Sequence, residues 1–251
     1  MVVRNATASL PLAVFIFPMS EDLGWSRTLI AGAASLGGLV ATVASPLVGW
    51  ALDRYGARTI LTVSVLILGL STVSLAWATV PVAFYLAYGL GRVIFSSSLN
   101  IGPSVVVSRW FVRRRGRATG ILFLSHSLGM ITFPLIAGLV IKYRGWEDAW
   151  AVLGVLVWIL ALGPVSMLVR QSPESVGLLP DGDPPQQTDE GKEAAAAAEE
   201  PNWTLREAAR TPTLWLLAMA TGSLFLLQSG TNIHQGAYFL DQGLGVGFSA
   251  A

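Results

Sequence analysis

Long stretches without charge dominate this chain of 251 residues. Five of them contain no Asp, Glu, Lys or Arg, and each reaches the roughly 20 mainly apolar residues that cross a hydrocarbon core of about 30 Å. They cover residues 28–52, 59–91, 118–141, 149–169 and 211–240. Charged residues make up only 12% of the chain, against about 25% in an ordinary soluble domain, so a soluble globular protein is excluded. The sequence predicts an all-α membrane protein that crosses the bilayer several times.

These stretches divide into seven predicted spans. Residues 59–108 are too long for one crossing, and Pro81 divides them into 59–80 and 82–108. The first apolar run, residues 6–19, has only 14 residues, or about 21 Å of helix. No small-x-small cleavage site follows it, so it is interpreted as a first transmembrane helix whose beginning is missing rather than as a signal peptide. The other spans are predicted at 28–52, 118–141, 149–169 and 213–240.

The basic residues lie mainly on one side of these spans. With the N-terminus inside, Arg27, Lys142 and Arg144 fall outside and Arg92 lies in the membrane. The other twelve are then on the inner side: Arg4, Arg54, Arg58, Arg109, Arg113, Arg114, Arg115, Arg117, Arg170, Lys192, Arg206 and Arg210. By the positive-inside rule the N-terminus is predicted to be cytoplasmic, with the protein in the inner (plasma) membrane of the cell.

The segment 171–212 differs from the rest because it is acidic and rich in proline. It holds nine acids and three bases, a composition that cannot bury enough apolar surface to order itself. A mostly disordered cytoplasmic linker is predicted, although Thr204 and Glu207 have the spacing of a capping box that starts a short helix. The predicted organisation is a six-helix bundle at 1–170, this linker at 171–212, a seventh helix at 213–240, and a tail at 241–251 that is external or begins a missing C-terminal half.

The turn between the second and third spans carries the most informative motif. The pattern Gly-x-x-x-Asp-Arg-x-Gly-x-Arg is formed by Gly49, Asp53, Arg54, Gly56 and Arg58. Gly56 permits a tight turn with a positive φ. Asp53 can pair with Arg54, with Arg58 or with the next basic loop, whereas the simpler alternative is a charged turn that only follows the positive-inside rule.

This motif resembles the signature loop of the major facilitator superfamily, and a long linker after the sixth span fits the six-plus-six layout of that family. The resemblance implies a six-helix N-terminal bundle of two inverted three-helix repeats followed by one helix of the second half. It also implies that the turn is part of a conformational gate. Because such transporters have twelve helices, the C-terminal six-helix half is expected to be missing.

The loop after the fourth span has five basic residues: Arg109, Arg113, Arg114, Arg115 and Arg117. It resembles the loop between the fourth and fifth helices in the monocarboxylate-porter and oxalate:formate-antiporter branch of the superfamily. The sequence at 23–27 resembles the segment that follows the first helix in the same branch. One departure from the superfamily is Ser96, which stands where a glycine often follows an arginine such as Arg92.

A short internal repeat supports the inverted arrangement. The sequence Pro-Leu-Val-Gly at 46–49, with Gly56 seven residues after its glycine, recurs as Pro-Leu-Ile-Ala-Gly at 134–138, with Gly145 seven residues after its glycine. One copy ends its helix inside and the other ends its helix outside, as inverted repeats predict.

Polar residues inside the spans are candidates for the transport pathway. Arg92 is the only charge predicted inside a span, and such residues usually face a bundle interior or an aqueous cavity. Ser96 and Asn100 follow at i+4 and i+8, so a continuous helix places all three on one face that lines the cavity. Arg92 would attract an organic anion or support proton movement; the alternative is a structural arginine bonded to backbone carbonyls.

Further candidates lie on the fifth and seventh helices. His126 could carry a coupled proton, and the alternative is a hydrogen-bonded packing residue. The seventh-helix candidates are Gln228, Asn232 and Gln235 on one stripe and His234 on another.

The predicted function is secondary active transport of a small organic anion such as a monocarboxylate by alternating access, with a coupled proton or counter-anion. The alternatives are a transport-incompetent fragment of such a transporter and, less favoured, a seven-helix receptor. An enzyme is not predicted, because the chain has no His-Glu-x-x-His, no paired intramembrane aspartates and no Gly-x-Ser-x-Gly. No cofactor or metal is predicted, and a net charge of +1 gives no sign of a nucleic-acid partner.

Overall fold

A computed structural model of the chain describes residues 1–182 and 204–241, and all regular structure within these ranges is helical. The α-helices are α1 (Ser9–Leu23), α2 (Arg27–Tyr55), α3 (Ala57–Ser74), α4 (Pro81–Ser96), α5 (Ser98–Trp110), α6 (Arg115–Arg144), α7 (Trp146–Leu168), α8 (Leu205–Arg210) and α9 (Pro212–Asp241). Short 3-10 helices cover Val2–Thr7, Leu75–Trp77, Pro173–Val176 and Pro180–Gly182.

Six helical segments in the described part of the chain are long and apolar enough to cross a membrane. They are Val2–Leu23, Arg27–Tyr55, Ala57–Trp77, Pro81–Trp110, Arg115–Arg144 and Trp146–Leu168. Large apolar side chains on these segments, such as Val43, Leu86 and Ile159, are at least 70% exposed, as a surface that faces lipid requires. The segments confirm the all-α membrane class and the first six predicted spans.

The first span is longer than the apolar run that predicts it. Residues Val2–Thr7 form a 3-10 helix that passes into α1 at Ala8, which gives a helical segment of 22 residues. Arg4, Asn5 and Thr7 are buried in this 3-10 helix. Polar residues ahead of the apolar run therefore lie inside the bundle.

The fourth span is broken, which corrects the expectation of one continuous helix. At Ser97 the backbone leaves helical geometry (φ −104°, ψ −84°), so α4 ends and α5 begins. The Ser97 hydroxyl donates to the Val93 carbonyl oxygen at 2.6 Å. Serine side chains compete in this way with the helical ladder, and residues 96–98 are three successive serines.

The first six spans form two three-helix repeats of opposite orientation. In both, a long helix with an internal proline, α2 or α6, ends at a glycine with a positive φ, +81° at Gly56 and +95° at Gly145. Each glycine N–H donates to the carbonyl oxygen four residues earlier, and the next helix begins at the following residue. This shared geometry confirms the inverted repeat read from the sequence.

The core lies between the two repeats. Helix α3 packs closely along α7, where Gly154 approaches Val73. One turn earlier on α7, the Trp150 ring stacks on Phe15 with the ring centroids 3.7 Å apart. The buried Tyr88 hydroxyl donates to the Thr7 carbonyl oxygen at 3.0 Å. These contacts fix the 3-10 helix of the first span against α4 and α7.

Helices α8 and α9 belong to a second unit, residues 192–251. The Thr204 hydroxyl accepts the Glu207 N–H at 3.3 Å, and the Glu207 carboxylate accepts the Thr204 N–H at 2.9 Å, so the predicted capping box is present. Helix α9 has 30 residues and coincides with the seventh predicted span.

Candidate functional site

Two loops lie at one end of the six-helix bundle, which we call the basic end: the turn between α2 and α3 at residues 53–58 and the loop between α5 and α6 at residues 109–117. The Arg109 Nη2 atom lies 3.2 Å from Asp53 Oδ1, so the two loops are joined by an ion pair. Both side chains contact solvent, and such a pair contributes about 1 kcal/mol or less to stability. The prediction that Asp53 can pair with the next basic loop is confirmed.

The other arginines of the α2–α3 turn have different partners. Arg58 Nε donates to the Ser166 carbonyl oxygen at 2.7 Å and so satisfies a free carbonyl in the last turn of α7. The Arg54 guanidinium lies over the Trp50 ring, 5.6 Å from its centroid. The turn therefore ties the start of α3 to the end of α7.

Gly56 is required at this turn for two reasons. Its φ of +81° is unfavourable for residues with a Cβ, and a Cβ there would lie 2.6 Å from the Gln171 Oε1 atom. The segment that leaves α7 thus passes directly over the turn.

A second group of polar residues lies halfway along the bundle. Arg92 and His126 each lie 11 residues after the start of their helices, at Pro81 and Arg115. That distance is about 16 Å of helix, which is close to the middle of a hydrocarbon core of about 30 Å. We call Arg4, Asn5, Arg92, Asn100 and His126 the central cluster.

Arg4 is the best-connected member of the central cluster. Its residue is 8% exposed, Nη1 donates to Asn100 Oδ1 at 2.6 Å, and Nη2 lies 3.3 Å from His126 Nε2. The sequence predicts Arg4 at the cytoplasmic surface, before the first span, and Arg92 as the only charge inside a span. Both predictions are wrong, because Arg4 is buried in the bundle. The 3-10 helix Val2–Thr7 carries Arg4 into the bundle, where Asn100 and His126 supply hydrogen-bond partners.

His126 has donors on both sides. The fully buried Asn5 side chain donates from Nδ2 to the His126 carbonyl oxygen at 3.1 Å and lies 3.2 Å from His126 Nδ1, opposite Arg4 at Nε2. A neutral imidazole has one acceptor nitrogen, and an arginine can only donate, so Nε2 accepts from Arg4 and Nδ1 carries the ring proton. The contact with Arg4 therefore favours the neutral imidazole.

The two arginines of the central cluster share one aromatic neighbour. The Arg4 and Arg92 guanidinium carbons each lie 4.7 Å from the Phe95 ring centroid. Arg92 Nε is buried and has no hydrogen-bond partner. Within residues 1–182 and 204–241 neither guanidinium forms an ion pair with a carboxylate. The cluster is a cationic site with unused donors.

The remaining pathway candidates have different outcomes. Because the helix breaks at Ser97, Asn100 does not continue the helical face of Arg92, yet the break brings it to Arg4. In the part of the chain with described side chains, Ser96 donates no hydrogen bond to the central cluster. The side chains of Gln228, Asn232, His234 and Gln235 lie outside the described residues.

Comparison with known proteins decides the family. The sequence profile described as Major Facilitator Superfamily matches residues 2–251. The chain belongs to the major facilitator superfamily. This is a family of multi-pass membrane transporters.

Several relatives of this superfamily member have names that mention a cargo. A Chlamydia pneumoniae protein named "Probable hexose phosphate transport protein" is 28% identical over 72% of this chain and 42% of its own length. "Monocarboxylate transporter 14" of Mus musculus is 24% identical over 71% of this chain and 35% of its own length. "Probable galactarate/D-glucarate transporter GarP" of Escherichia coli K12 is 26% identical over 61% and 37%. The chain spans less than half the length of these relatives.

Sequence reasoning missed two members of the central cluster, Arg4 and Asn5. Their signal was available: the apolar run at 6–19 is too short for a crossing by itself, and the only way to lengthen it at its start is to include residues 2–5. A charged residue inside a span usually faces the bundle interior or an aqueous cavity, so Arg4 becomes a pathway candidate for the same reason as Arg92.

Proposed function

We propose that this member of the superfamily transports a small organic anion, such as a monocarboxylate, by alternating access, and that Arg4 and Arg92 bind the anion. The observation that carries the proposal is the pair of guanidiniums around Phe95, halfway along the bundle, without a carboxylate partner among the described residues. Buried charge is expensive unless it is paired. A bound anion would supply the charge that the protein leaves out.

The hydrogen bonds of the cluster support this role. Arginine presents planar, paired donors that match a carboxylate or phosphate. The 2.6 Å bond to Asn100 fixes the orientation of Arg4 without neutralising it, because an amide carries no charge. Arg92 Nε is unpartnered, so at least one donor remains for a ligand.

The names of the relatives agree with an anionic cargo. Hexose phosphate, monocarboxylate, and galactarate or glucarate are all negatively charged at neutral pH. They differ in size and charge, so they support the class of cargo and leave its identity to experiment.

We assign the coupled proton, where one accompanies the anion, to His126. Protonation of the ring next to Arg4 would add a third positive charge to the central cluster, after Arg4 and Arg92, and would replace an acceptor by a donor. An anion between the arginines would offset that charge, so anion and proton would enter together more readily than either alone. Exchange against a counter-anion is the alternative and would leave His126 neutral.

The basic end is proposed to be the cytoplasmic gate. When a transporter opens inward, the ends of its helices separate, and the Asp53–Arg109 pair would break. The burial of Arg4 removes one residue from the inner-side count, but the basic end still carries Arg54, Arg58 and five arginines of the second loop. This excess supports a cytoplasmic basic end and a cytoplasmic N-terminal side.

Helix α9 is proposed to contribute further pathway residues. These remain Gln228, Asn232, His234 and Gln235, as the sequence predicts.

Uptake by the product of the complete reading frame, reconstituted in liposomes, tests the proposal. Labelled monocarboxylates, dicarboxylates and hexose phosphates are compared with a neutral hexose and a quaternary ammonium ion, each with and without a pH gradient. Saturable uptake of one anion class supports the proposal. Uptake of only the neutral or cationic compounds contradicts it.

A further inference from the structure

An acidic residue beyond the last span of the bundle is held by the basic end. The Asp181 carboxylate accepts the N–H groups of Val112 at 3.3 Å, Arg113 at 2.8 Å and Arg114 at 3.1 Å. Arg113 Nε lies 3.7 Å from Asp181 Oδ2. Although Asp181 is an acidic residue in a segment predicted to be a solvated linker, only 2% of its side chain is exposed. Three successive N–H groups aimed at one carboxylate form an anion-binding nest.

The backbone at Asp181 is shaped for this contact. Asp181 is the only residue other than glycine with a positive φ in the described part of the chain, at +65°. Aspartate tolerates this left-handed conformation better than most residues but still pays a local cost. The N–H bonds, led by that of Arg113, hold the pKa of the Asp181 carboxyl below its ordinary value. The segment that contains Asp181 is thus bound to the α5–α6 loop through a charged carboxylate.

Two further contacts lie between α7 and Asp181. Trp110 Nε1 donates to the Arg170 carbonyl oxygen at 3.2 Å. The Gln171 side chain covers Gly56 in the α2–α3 turn. Residues 170–182 therefore contact both loops of the basic end, and the 3-10 helices within them, Pro173–Val176 and Pro180–Gly182, keep the segment compact.

We propose that residues 170–182 form a strap across the two loops of the basic end, which keeps the loops close together when the Asp53–Arg109 pair breaks, that Asp181 is its fastener, and that the rate of transport depends on it. The segment that follows α7 is then held to the bundle at Asp181 by the α5–α6 loop as well as by the last turn of α7. This goes beyond the proposed anion site, because it concerns how movement is transmitted and not what is bound.

Hydrogen exchange measures the fastener directly. In the product of the complete reading frame at neutral pH, the amides of Val112, Arg113 and Arg114 are expected to exchange at least about ten-fold faster in Asp181→Asn than in the wild type, since a neutral amide replaces their charged acceptor. Asparagine suits the left-handed backbone, so the change removes the charge with little effect on the local fold. Asp148→Asn, which removes the same charge at the other end of the bundle, is the matched control.

Two further measurements complete the test. Residues 1–251 contain no cysteine, so once any cysteine elsewhere in the complete reading frame has been replaced by serine, a spin label at Leu178→Cys reports the strap alone. The label is expected to become more mobile in Asp181→Asn and in Trp110→Phe. The transport rate is expected to fall several-fold in Asp181→Asn, with an unchanged half-saturation concentration. Exchange and label mobility equal to those of the wild type would overturn the strap, and a changed exchange rate with wild-type transport would overturn its role in transport. Failure of anion uptake in the wild type would contradict the anion site and leave the exchange result standing.

Discussion

Arg4 and Asn100, 96 residues apart in the chain, are joined by a 2.6 Å hydrogen bond from Nη1 to Oδ1 halfway along the bundle. The bond exists because the first span begins with a 3-10 helix and the fourth span breaks at Ser97. It orients a guanidinium that has no carboxylate partner in the described residues, and that orientation is the basis of the proposed anion site.

Asn100→Asp is expected to block the site from within. An aspartate at this position would place a carboxylate at hydrogen-bond distance from Arg4 and would compete with the transported anion. The apparent affinity for the anion should fall at least ten-fold, which is about 1.4 kcal/mol. Asn100→Ala removes the orienting bond without adding a charge and should have a smaller effect. Equal effects of the two variants, measured as half-saturation concentrations of uptake, would argue against competition by charge.

His126→Gln is expected to remove the dependence of uptake on a pH gradient. Glutamine can still accept a hydrogen bond from Arg4 but cannot carry a proton at neutral pH. Net uptake driven by an inward proton gradient should fall to the rate without a gradient, while exchange of labelled for unlabelled anion continues. Ser127→Ala on the next residue is the control. A pH response that survives in His126→Gln would assign the proton elsewhere.

Asp53→Asn is expected to separate transport from stability. The Asp53 side chain is 75% exposed, so loss of its pair with Arg109 should lower the unfolding free energy by about 1 kcal/mol or less. The transport rate should fall much more, because the pair joins the two loops that must separate and re-form in each cycle. Asp148→Asn removes an acid that pairs with Arg144 at the other end of the bundle and serves as the control. A transport rate equal to that of the wild type at equal protein amount would remove the pair from the mechanism.

Gly56→Ala is expected to destabilise the bundle by about 1–2 kcal/mol from its positive φ alone, with a further cost from the contact with Gln171. Adding Gln171→Ala should relieve only the second part. Gly49→Ala is the matched control, because a Cβ there meets nothing within 4 Å and alanine favours a helix interior. Thermal unfolding of the purified protein, followed by circular dichroism, measures all three. A midpoint for Gly56→Ala equal to that of the wild type would show that the turn can do without a glycine.

The sequence predicts the large features because they follow from solvation. A stretch such as 118–141 has no charge and is long enough to cross a membrane, and the six spans are confirmed. The Asp53 motif leaves three partners open, Arg54, Arg58 or the next basic loop, and the structure shows the third of these in the pair with Arg109. The capping box at Thr204 is equally local, since it depends on residues three apart.

The features that sequence reasoning missed depend on contacts between distant segments. In the sequence Arg4 resembles any arginine that flanks a transmembrane helix. Only the positions of Asn100 and His126 show that its guanidinium has hydrogen-bond partners within the bundle. The break at Ser97 and the seat of Asp181 are likewise set by tertiary contacts, whereas the local pattern suggests a continuous helix and a solvated linker. Of the two arginines in the proposed anion site, the sequence therefore predicts Arg92 and misses Arg4.

Anion uptake by variants of the two central arginines tests the proposed site most directly. The product of the complete reading frame is reconstituted as the wild type, Arg4→Gln, Arg92→Gln and, as a control, Arg144→Gln at the other end of the bundle. Glutamine keeps much of the length and some donors but removes the charge. The proposed site predicts that Arg4→Gln and Arg92→Gln each lower anion uptake at least ten-fold at equal protein amount, whereas Arg144→Gln transports normally. Wild-type uptake in both central variants would contradict it.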